Sequence, residues 1–311
     1  MTATTPTPTI APRAERSQGA PRKRRRPPAG RRSTPLTIAM LAALAYFLLP
    51  LFWLLIASTK STQDLINSFG LWFSHAPQLL ANIKETFTQD DGVFLRWLLN
   101  TAVYAAVSAV GAALLAAAGG YGFAKFRFRG DRAAFNLVLG AIMVPATALS
   151  IPTYLLFAKA GLVNTPWAVI LPSLVNPFGL YLMRVYAADA VPDSLLEAAR
   201  IDGAGEARIF FRIVLRLLAP GLVTVLLFTL VATWNNYFLP LIMLNDPQLY
   251  PVTVGLASWA DQAQNGGAGA SSDMLALVVT GSLISILPLV AAFLLLQRYW
   301  QSGLANGSLK Q

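Results

Sequence analysis

Six long apolar stretches alternate with polar segments along the chain. They cover residues 36–58, 97–123, 134–158, 166–183, 217–243 and 274–296. Each has close to 20 residues or more, which is about the length a helix needs to cross a hydrocarbon core of ~30 Å. None of them contains Asp, Glu, Lys, Arg or His. The pattern therefore predicts an all-α integral membrane protein with six transmembrane helices.

The distribution of Lys and Arg predicts the orientation in the membrane. Twenty of the 24 lie in the N-terminal tail, in residues 124–133, in residues 184–216 and in the C-terminal tail. Positive charge in short loops stays on the cytoplasmic side, so we expect both termini in the cytoplasm. The net charge of +10 is then explained by topology and anionic lipid headgroups, and no nucleic-acid partner is expected.

The polar ends of the chain differ from the membrane region. Residues 1–35 are rich in Pro, Thr and Ala and contain five consecutive basic residues at positions 22–26. Such a segment cannot bury a core, so it is expected to be a disordered basic cytoplasmic tail. Residues 36–311 are expected to form the membrane domain. Within it, the Gly/Ser-rich residues 264–272 are expected to be mobile.

Small residues and prolines inside the apolar stretches predict how the helices pack and bend. Glycine lets helices approach closely in lipid, and the second stretch contains Gly111, Gly119, Gly120 and Gly122. Proline bends or breaks membrane helices. Seven prolines lie in or at the edges of spans: Pro145, Pro152, Pro172, Pro177, Pro220, Pro240 and Pro288.

The composition narrows the classes of function. Only 12% of residues are charged, against about 25% in soluble domains. Cysteine is absent and His75 is the only histidine, which removes thiol chemistry and most metal and acid-base chemistry. A membrane-embedded enzyme is therefore hard to build. A proton- or ion-driven carrier usually keeps an ionisable residue in mid-membrane, and none is expected here.

ATP hydrolysis by this chain is also not expected. The sequence has no G-x-x-x-x-G-K-[ST] phosphate loop, in which backbone amides and a lysine would hold the nucleotide phosphates. A transporter without this loop and without an intramembrane charge needs an external motor. A non-transport scaffold, whose cytoplasmic loop recruits a partner, remains an alternative.

Residues 184–216 form the longest charged stretch between two spans on the predicted cytoplasmic side. Ser194 and Glu197 have the spacing of a capping box at a helix start. The helix is expected to end near Asp202, because Gly203 supplies the left-handed residue that terminates helices. A second helix should begin near Gly205 or Glu206 and run into the fifth span. On spacing alone, two interpretations remain open: a loop that only joins two spans, or a docking surface.

A resemblance to a known family favours docking. Glu197-Ala198-Ala199 and Asp202-Gly203-Ala204, with Pro220 further on, resemble the EAA loop of ABC importer permeases. Residues 100–101, 120–130, 234–236, 244–247, 250–255 and 296–310 resemble the carbohydrate-uptake branch similar to the maltose permease MalG. The resemblance covers roughly residues 35–311. Arg216 stands where the family usually has proline, so we expect a straighter joint into the fifth span.

The resemblance implies a type I importer-like transmembrane domain, with a coupling helix in the loop between the fourth and fifth spans. That helix would dock on a cytoplasmic ABC ATPase dimer. Glu197 would pair with a cation of the ATPase, Ala198, Ala199 and Gly203 would pack closely, and Asp202 would help to hold the bend beside Ala204.

Further partners follow from the same resemblance. They are a second homologous permease, an extracytoplasmic solute-binding protein and the lipid bilayer of a bacterial plasma (inner) membrane. ATP and Mg would be bound by the ATPase, with no cofactor in this chain.

The substrate class implied by the resemblance is a sugar, an oligosaccharide, a polyol or a glycerol phosphate. Candidate substrate-path residues are the polar and aromatic groups of spans four and five: Asn176, Tyr181, Trp234, Asn235 and Asn236. Amides can hydrogen-bond sugar hydroxyls, and aromatic faces can pack on sugar rings. The same residues could equally make interhelical hydrogen bonds or lie in the interfacial aromatic belt.

Overall fold

The computed structural model describes residues 34–265 and 274–307, and every regular element in these ranges is helical. The chain up to residue 190 forms α1 (Thr34–Ala57), α2 (Thr62–Asn67), α3 (Leu79–Thr88), α4 (Val93–Lys125), α5 (Asp131–Ile142), α6 (Ala146–Lys159), α7 (Trp167–Leu174) and α8 (Pro177–Ala190). A short 3₁₀ turn, Gln89–Gly92, precedes α4.

The remaining described residues begin with the loop helices and end with the last long helix. They form α9 (Asp193–Ile201), α10 (Glu206–Ile209), a π-helical turn (Phe210–Val214), α11 (Leu215–Leu217), α12 (Ala219–Trp234), α13 (Phe238–Met243), α14 (Val252–Asn265) and α15 (Met274–Gly307). The chain divides into two compact units, one ending at Leu48 and one beginning at Leu49.

Three predictions concern segments that lie wholly or partly outside the described residues. Residues 1–33 of the predicted disordered tail are not described, whereas Thr34 and Pro35 already belong to α1. Of the Gly/Ser-rich stretch 264–272, residues 266–272 are also outside. The last residues of the family-like C-terminal tail, 308–310, are outside as well.

The helices include four to six candidate membrane spans. Four stretches are long and apolar enough alone: Thr34–Ala57, Leu79–Lys125, Trp167–Ala190 and Met274–Gln297. Two bent pairs qualify when each pair counts as one span. They are α5 with α6, bent by 108°, and Glu206–Leu217 with α12, bent by 80°. The all-helical membrane fold is thus confirmed, and the predicted six spans are the upper end of this range.

Several bends lie at the predicted prolines. Pro145 is the N-cap of α6 at the 108° bend, and Pro177 is the first residue of α8 after a break in the fourth stretch. By contrast, α6 continues through Pro152 and α15 through Pro288. Proline is tolerated within membrane helices when neighbouring groups satisfy the freed carbonyl, so proline alone did not determine where helices break.

The joint into the fifth stretch bends just after Arg216, and the expectation that it is straighter than in the family stays a prediction. Arg216 lies inside α11, but the chain turns by 80° between Leu217 and Ala219. Pro220 lies in the first turn of α12. A proline ring clashes with the carbonyl four residues earlier in a continuous helix, and here that carbonyl belongs to Arg216. Pro220 therefore accounts for the bend without a proline at position 216.

Close packing of α4 against α8 organises the centre of the second unit. A Cβ built on Gly120 would lie 2.6 Å from the backbone nitrogen of Arg184, and one on Gly119 would lie 2.9 Å from Leu180. A Cβ on Gly111 would overlap Leu174 of α7. These three glycines are therefore needed for close approach, as predicted. Gly122 was wrongly included, because a Cβ there would meet no atom within 4 Å.

Candidate functional site

The loop helix α9 begins differently from the prediction. Its N-cap is Pro192, which makes no side-chain hydrogen bond, and Asp193 opens the first turn. Ser194 therefore lies within the helix, so the predicted Ser194–Glu197 capping box is wrong. The extended conformation of Pro192 starts the helix before Ser194. A carboxylate in the first turn, here Asp193, then favours the helix by its interaction with the helix dipole.

The end of α9 is a glycine-terminated turn, as predicted. Gly203 has φ 78°, a left-handed conformation that glycine adopts without the Cβ penalty. The amide of Gly203 donates to the carbonyl of Arg200, and that of Ala204 donates to the carbonyl of Ala199, both at 3.0 Å. This is the Schellman pattern of a helix C-terminus. The next helix, α10, begins at Glu206, as expected.

The inner face of α9 is anchored on the membrane helices. Leu196 and Ala199 are 2% and 7% exposed and belong to one buried cluster. That cluster also contains Tyr121 of α4, Met183 of α8 and Leu218 at the start of α12. Because protein interiors are close-packed, displacement of α9 would be transmitted to the helices against which it packs.

The outer face of α9 is not covered by any other described residues. Glu197, Ala198, Asp202 and Gly203 are exposed. Ala199 and Ala204 differ from them, because Ala199 is buried in the chain's own core and Ala204 is half-buried against it. The bend at Asp202 is held by backbone hydrogen bonds, since the Asp202 amide donates to the carbonyl of Ala198 at 3.0 Å.

Two ion pairs brace the loop. Lys125 Nζ at the end of α4 lies 2.8 Å from Asp193 Oδ1, and Arg200 Nε lies 2.7 Å from Glu206 Oε1. The second pair closes the turn between α9 and α10. The hydrogen bond to Glu206 raises the pKa of Arg200. The Arg200–Glu206 pair is exposed on both sides, so it fixes geometry more than it adds stability, whereas in the other pair only Asp193 is exposed and the Lys125 side chain is 8% exposed.

A cavity of about 760 Å³ lies among the broken helices. It is bounded by residues of α5 and α6, of α7 and α8, and of α12 and α13. Its polar lining includes Thr147, Ser150, Asn176, Thr229 and Asn236. No Asp, Glu, Lys, Arg or His is among its lining residues, which lie within the described ranges. The cavity can therefore offer neutral hydrogen-bonding groups and apolar surface.

Only two of the five predicted substrate-path residues line this cavity. Asn176 caps α8 by accepting from the amide of Gly179 at 2.7 Å, and it donates to Thr229 Oγ1 at 2.9 Å. Asn236 lines the cavity where the fifth apolar stretch is broken, between α12 and α13. The Asn176 contacts include the interhelical hydrogen bond that was the alternative interpretation.

The other three predicted residues lie away from the cavity lining. Trp234 is buried and donates to the carbonyl of Ser285 at 3.1 Å. Asn235 bonds within its own helix, to the carbonyl of Val231 at 2.8 Å. Tyr181 stacks on Phe135 with ring centroids 6.3 Å apart. Sequence reasoning did not distinguish these roles, because all three residue types are equally suited to sugar contacts.

Several cavity residues were missed from the sequence. Thr147, Ser150 and Thr153 follow each other at three-residue spacing on α6, and Phe178 faces Phe228 with centroids 6.0 Å apart. The signal that could have found them is the set of breaks in the apolar stretches. The Pro145 and Asn176–Pro177 breaks place irregular backbone in mid-stretch, which in membranes is tolerated where it lines a cavity or is buried in protein.

Comparison with known proteins places these features in a family. Residues 109–304 match the sequence profile described as "binding-protein-dependent transport system inner membrane component". The chain belongs to this family. It is 32% identical over 276 residues to the arabinooligosaccharides transport system permease protein AraQ of Bacillus subtilis, covering 88% of this chain and 95% of the relative.

Other relatives are also sugar permeases. The permease is 30% identical to the melibiose/raffinose/stachyose import permease protein MelC of Bacillus subtilis, over 88% of this chain and 95% of the relative. Its fold matches a chain of a bacterial ABC transporter that imports the acidic polysaccharide alginate, with a TM-score of 0.72 and 22% identity. That match covers 86% of the permease and 96% of the other chain.

The family assignment confirms the carbohydrate-branch resemblance drawn from the sequence. The permease is a multi-pass inner membrane component of an ABC transporter. Its relatives are transport permease subunits. As the family description states, transport in such systems depends on a binding protein, and an ABC system also includes an ATPase.

Proposed function

We propose that this permease is one membrane half of an ATP-driven sugar importer and that α9 is its coupling helix. The observation that carries the proposal is the two-sidedness of α9. Its inner face, Leu196 and Ala199, is buried among the membrane helices, while Glu197 and Ala198 on the other face are exposed. A helix that is packed on one side and exposed on the other can bind a partner protein, and it can transmit the movement of that partner to the membrane helices.

The proposed docking surface consists of Glu197, Ala198, Asp202 and Gly203. Small side chains at Ala198 and Gly203 leave room for an ATPase groove to approach the backbone. Glu197 would pair with a cation of that groove. Ile201, an apolar side chain that is 86% exposed, adds apolar surface at the same end of α9. Ala199 and Ala204 would act from the inner side by keeping the loop close to its core.

The proposed mechanism is alternating access driven from the cytoplasm. Closure of an ATPase dimer would pull α9 towards the coupling helix of the second permease. The buried cluster beneath α9 contains residues of α4, α8 and the start of α12, so these helices would move with it. ATP and Mg would be bound by the ATPase, and the permease itself would hold no cofactor and catalyse no reaction.

The proposed topology has six spans with both termini in the cytoplasm. Each bent pair would count as one span, and the chain from α1 onward would form a type I importer-like domain. A second homologous permease would complete the translocation path, and a solute-binding protein would deliver substrate from outside. This arrangement is supported by the excess of Lys and Arg in the predicted cytoplasmic segments.

Substitution of Glu197 tests the docking proposal. Glu197→Lys is expected to abolish uptake and to reduce strongly the amount of ATPase that co-purifies with the permease, because two cations would then face each other. The level of permease in the membrane should stay unchanged, since Glu197 is exposed. Asp189→Lys is the matched control, because Asp189 is an exposed carboxylate of α8 near the same loop. Normal ATPase recovery with Glu197→Lys would contradict the docking role.

The proposed substrate is a neutral sugar or oligosaccharide. The cavity lining has hydroxyl and amide groups, aromatic side chains such as Phe178 and Phe228, and no charged residue. Sugars bind through hydroxyl hydrogen bonds and through apolar ring faces, which such a lining provides. An anionic substrate, such as a glycerol phosphate, would require a cation, which would have to come from the partner permease.

A pair of adjacent asparagines tests whether the cavity contacts substrate. Asn236→Ala is expected to lower uptake of arabinose oligomers or raffinose-type sugars several-fold, because it removes an amide from the cavity lining. Asn235→Ala is the control, since the Asn235 side chain bonds to its own helix. The measurement is uptake of a panel of labelled sugars into cells expressing each variant at equal levels. Equal uptake by both variants would exclude Asn236 from the path.

A further inference from the structure

The end of α2 and the segment that follows it expose a row of large apolar side chains. The aromatic loop, defined as residues 66–76, contains Ile66, Phe69 and Trp72, which are 69%, 72% and 67% exposed, and the neighbouring Phe73. It contains no Asp, Glu, Lys or Arg. An apolar surface of this kind, left open to water, is unusual unless it meets a partner or a membrane.

The aromatic loop packs beside the last turns of α1, a candidate membrane span. A Cβ built on Gly70 would lie 3.4 Å from Trp53 Nε1, so the backbone of Gly70 runs along the Trp53 indole. Trp53 precedes the last residue of α1, Ala57, by one turn. At 1.5 Å per residue, the Trp53 backbone lies about 6 Å before the end of α1, and Gly70 packs on the side chain that projects from there. The loop thus turns back alongside a candidate membrane span.

A buried lysine holds the loop in this position. Lys60 is 1% exposed, and its Nζ donates to Ser68 Oγ and to the carbonyl of Phe69, both at 2.7 Å. Asn82 of α3 donates to the carbonyl of Lys60 at 2.9 Å. These bonds tie the start of the aromatic loop to the end of α1. The exposed aromatic side chains are therefore presented by a fixed backbone.

We propose that the aromatic loop is a membrane-interface anchor that inserts Phe69, Trp72 and Phe73 among the lipid headgroups and upper acyl chains. Trp and other amphipathic aromatic side chains favour this region of a bilayer. The depth of Gly70 beside Trp53 favours lipid over a soluble partner, because a docking surface for a soluble protein must project beyond the membrane. The anchor would hold the end of the first span at a constant depth.

The absence of cysteine from the chain allows a direct test of insertion. Trp72→Cys is labelled with an environment-sensitive fluorophore in the purified transporter, which is then reconstituted with lipids brominated high on the acyl chain. Lys84→Cys is the control, because Lys84 is an exposed, charged residue of α3 that lies between the apolar stretches 36–58 and 97–123. Labelling of the parent transporter measures any background from other subunits.

The proposal predicts blue-shifted emission at position 72 and bromine quenching several-fold stronger than at position 84. Equal and weak quenching at both positions would overturn it. Emission at position 72 that shifts only when a solute-binding protein is added would also overturn it, and would assign the loop to docking. An emission shift that requires the partner permease and persists in detergent without lipid would likewise overturn the proposal, and would assign the loop to docking on that permease.

Discussion

At the scale of single residues, the turn between α9 and α10 depends on one glycine conformation. Gly203 has a left-handed φ of 78°, whereas Gly205, two residues later, has φ −70°. A Cβ at either position would meet no atom within 4 Å. The two glycines therefore differ in backbone conformation and not in available space, which makes them a matched pair.

Gly203→Ala is expected to destabilise the loop by about 1 kcal/mol, because a left-handed residue with a Cβ is strained. Gly205→Ala should be close to neutral, since its backbone conformation suits any residue. The measurement is the temperature at which each purified permease complex loses its ATPase subunits during heating. Equal temperatures for the two variants would show that the turn at Gly203 does not position α9.

The chemical identity of residues allowed some of these roles to be predicted and not others. Gly203 was predicted because few residues other than glycine end a helix in this way. The capping box at Ser194 was wrong because an S-x-x-E pattern also occurs inside a helix, and Pro192 starts the helix earlier. Asn235 and Asn236 could not be separated from the sequence, since their roles depend on how α12 breaks.

At the scale of elements, α4 and α8 pack closely together and contribute to the buried cluster on which α9 lies. The backbone of α8 approaches α4 closely at Gly120, whereas Gly122 faces open space. Glycine spacing predicted that α4 packs closely, but not which of its faces does so. Four glycines in one apolar stretch give two or more candidate faces, and only the neighbouring helix selects one.

Gly120→Ala is expected to destabilise the permease by about 1–3 kcal/mol, because the added methyl group would force the helix backbones apart. Gly122→Ala should have little effect. Detergent-solubilised permease, scored by the fraction that stays monodisperse after heating, measures the difference. If Gly120→Ala were as stable as Gly122→Ala, the close approach of α4 and α8 would be contradicted.

The bent elements show why the rest of the cavity could not be predicted. Prolines marked the breaks at Pro145 and Pro177, but the helices continue through Pro152 and Pro288. The angle of each bend depends on what packs in the gap, and a sequence does not contain that information directly. The hydroxyl groups of α6 were missed for this reason, since they meet the cavity only because of the 108° bend.

At the scale of the whole molecule, the hydrophobic pattern was sufficient for the class of fold. Apolar length, the absence of charge within spans and the position of basic residues predicted a helical inner membrane protein, and the family assignment confirms this. The EAA-like residues 197–204 then indicated ABC importer permeases, and further segments such as residues 120–130 indicated the carbohydrate branch. What covers the outer face of α9 depends on other chains, so it stays a prediction.

The most direct test of the account is purification of the tagged permease from its native cells in mild detergent, with every co-purifying protein identified by mass. We expect a P-loop ATPase together with a second, homologous permease, because α9 presents an exposed face and this chain has no phosphate loop. Recovery of the permease alone, under conditions that preserve such complexes, would contradict the proposal that α9 couples it to an ATPase.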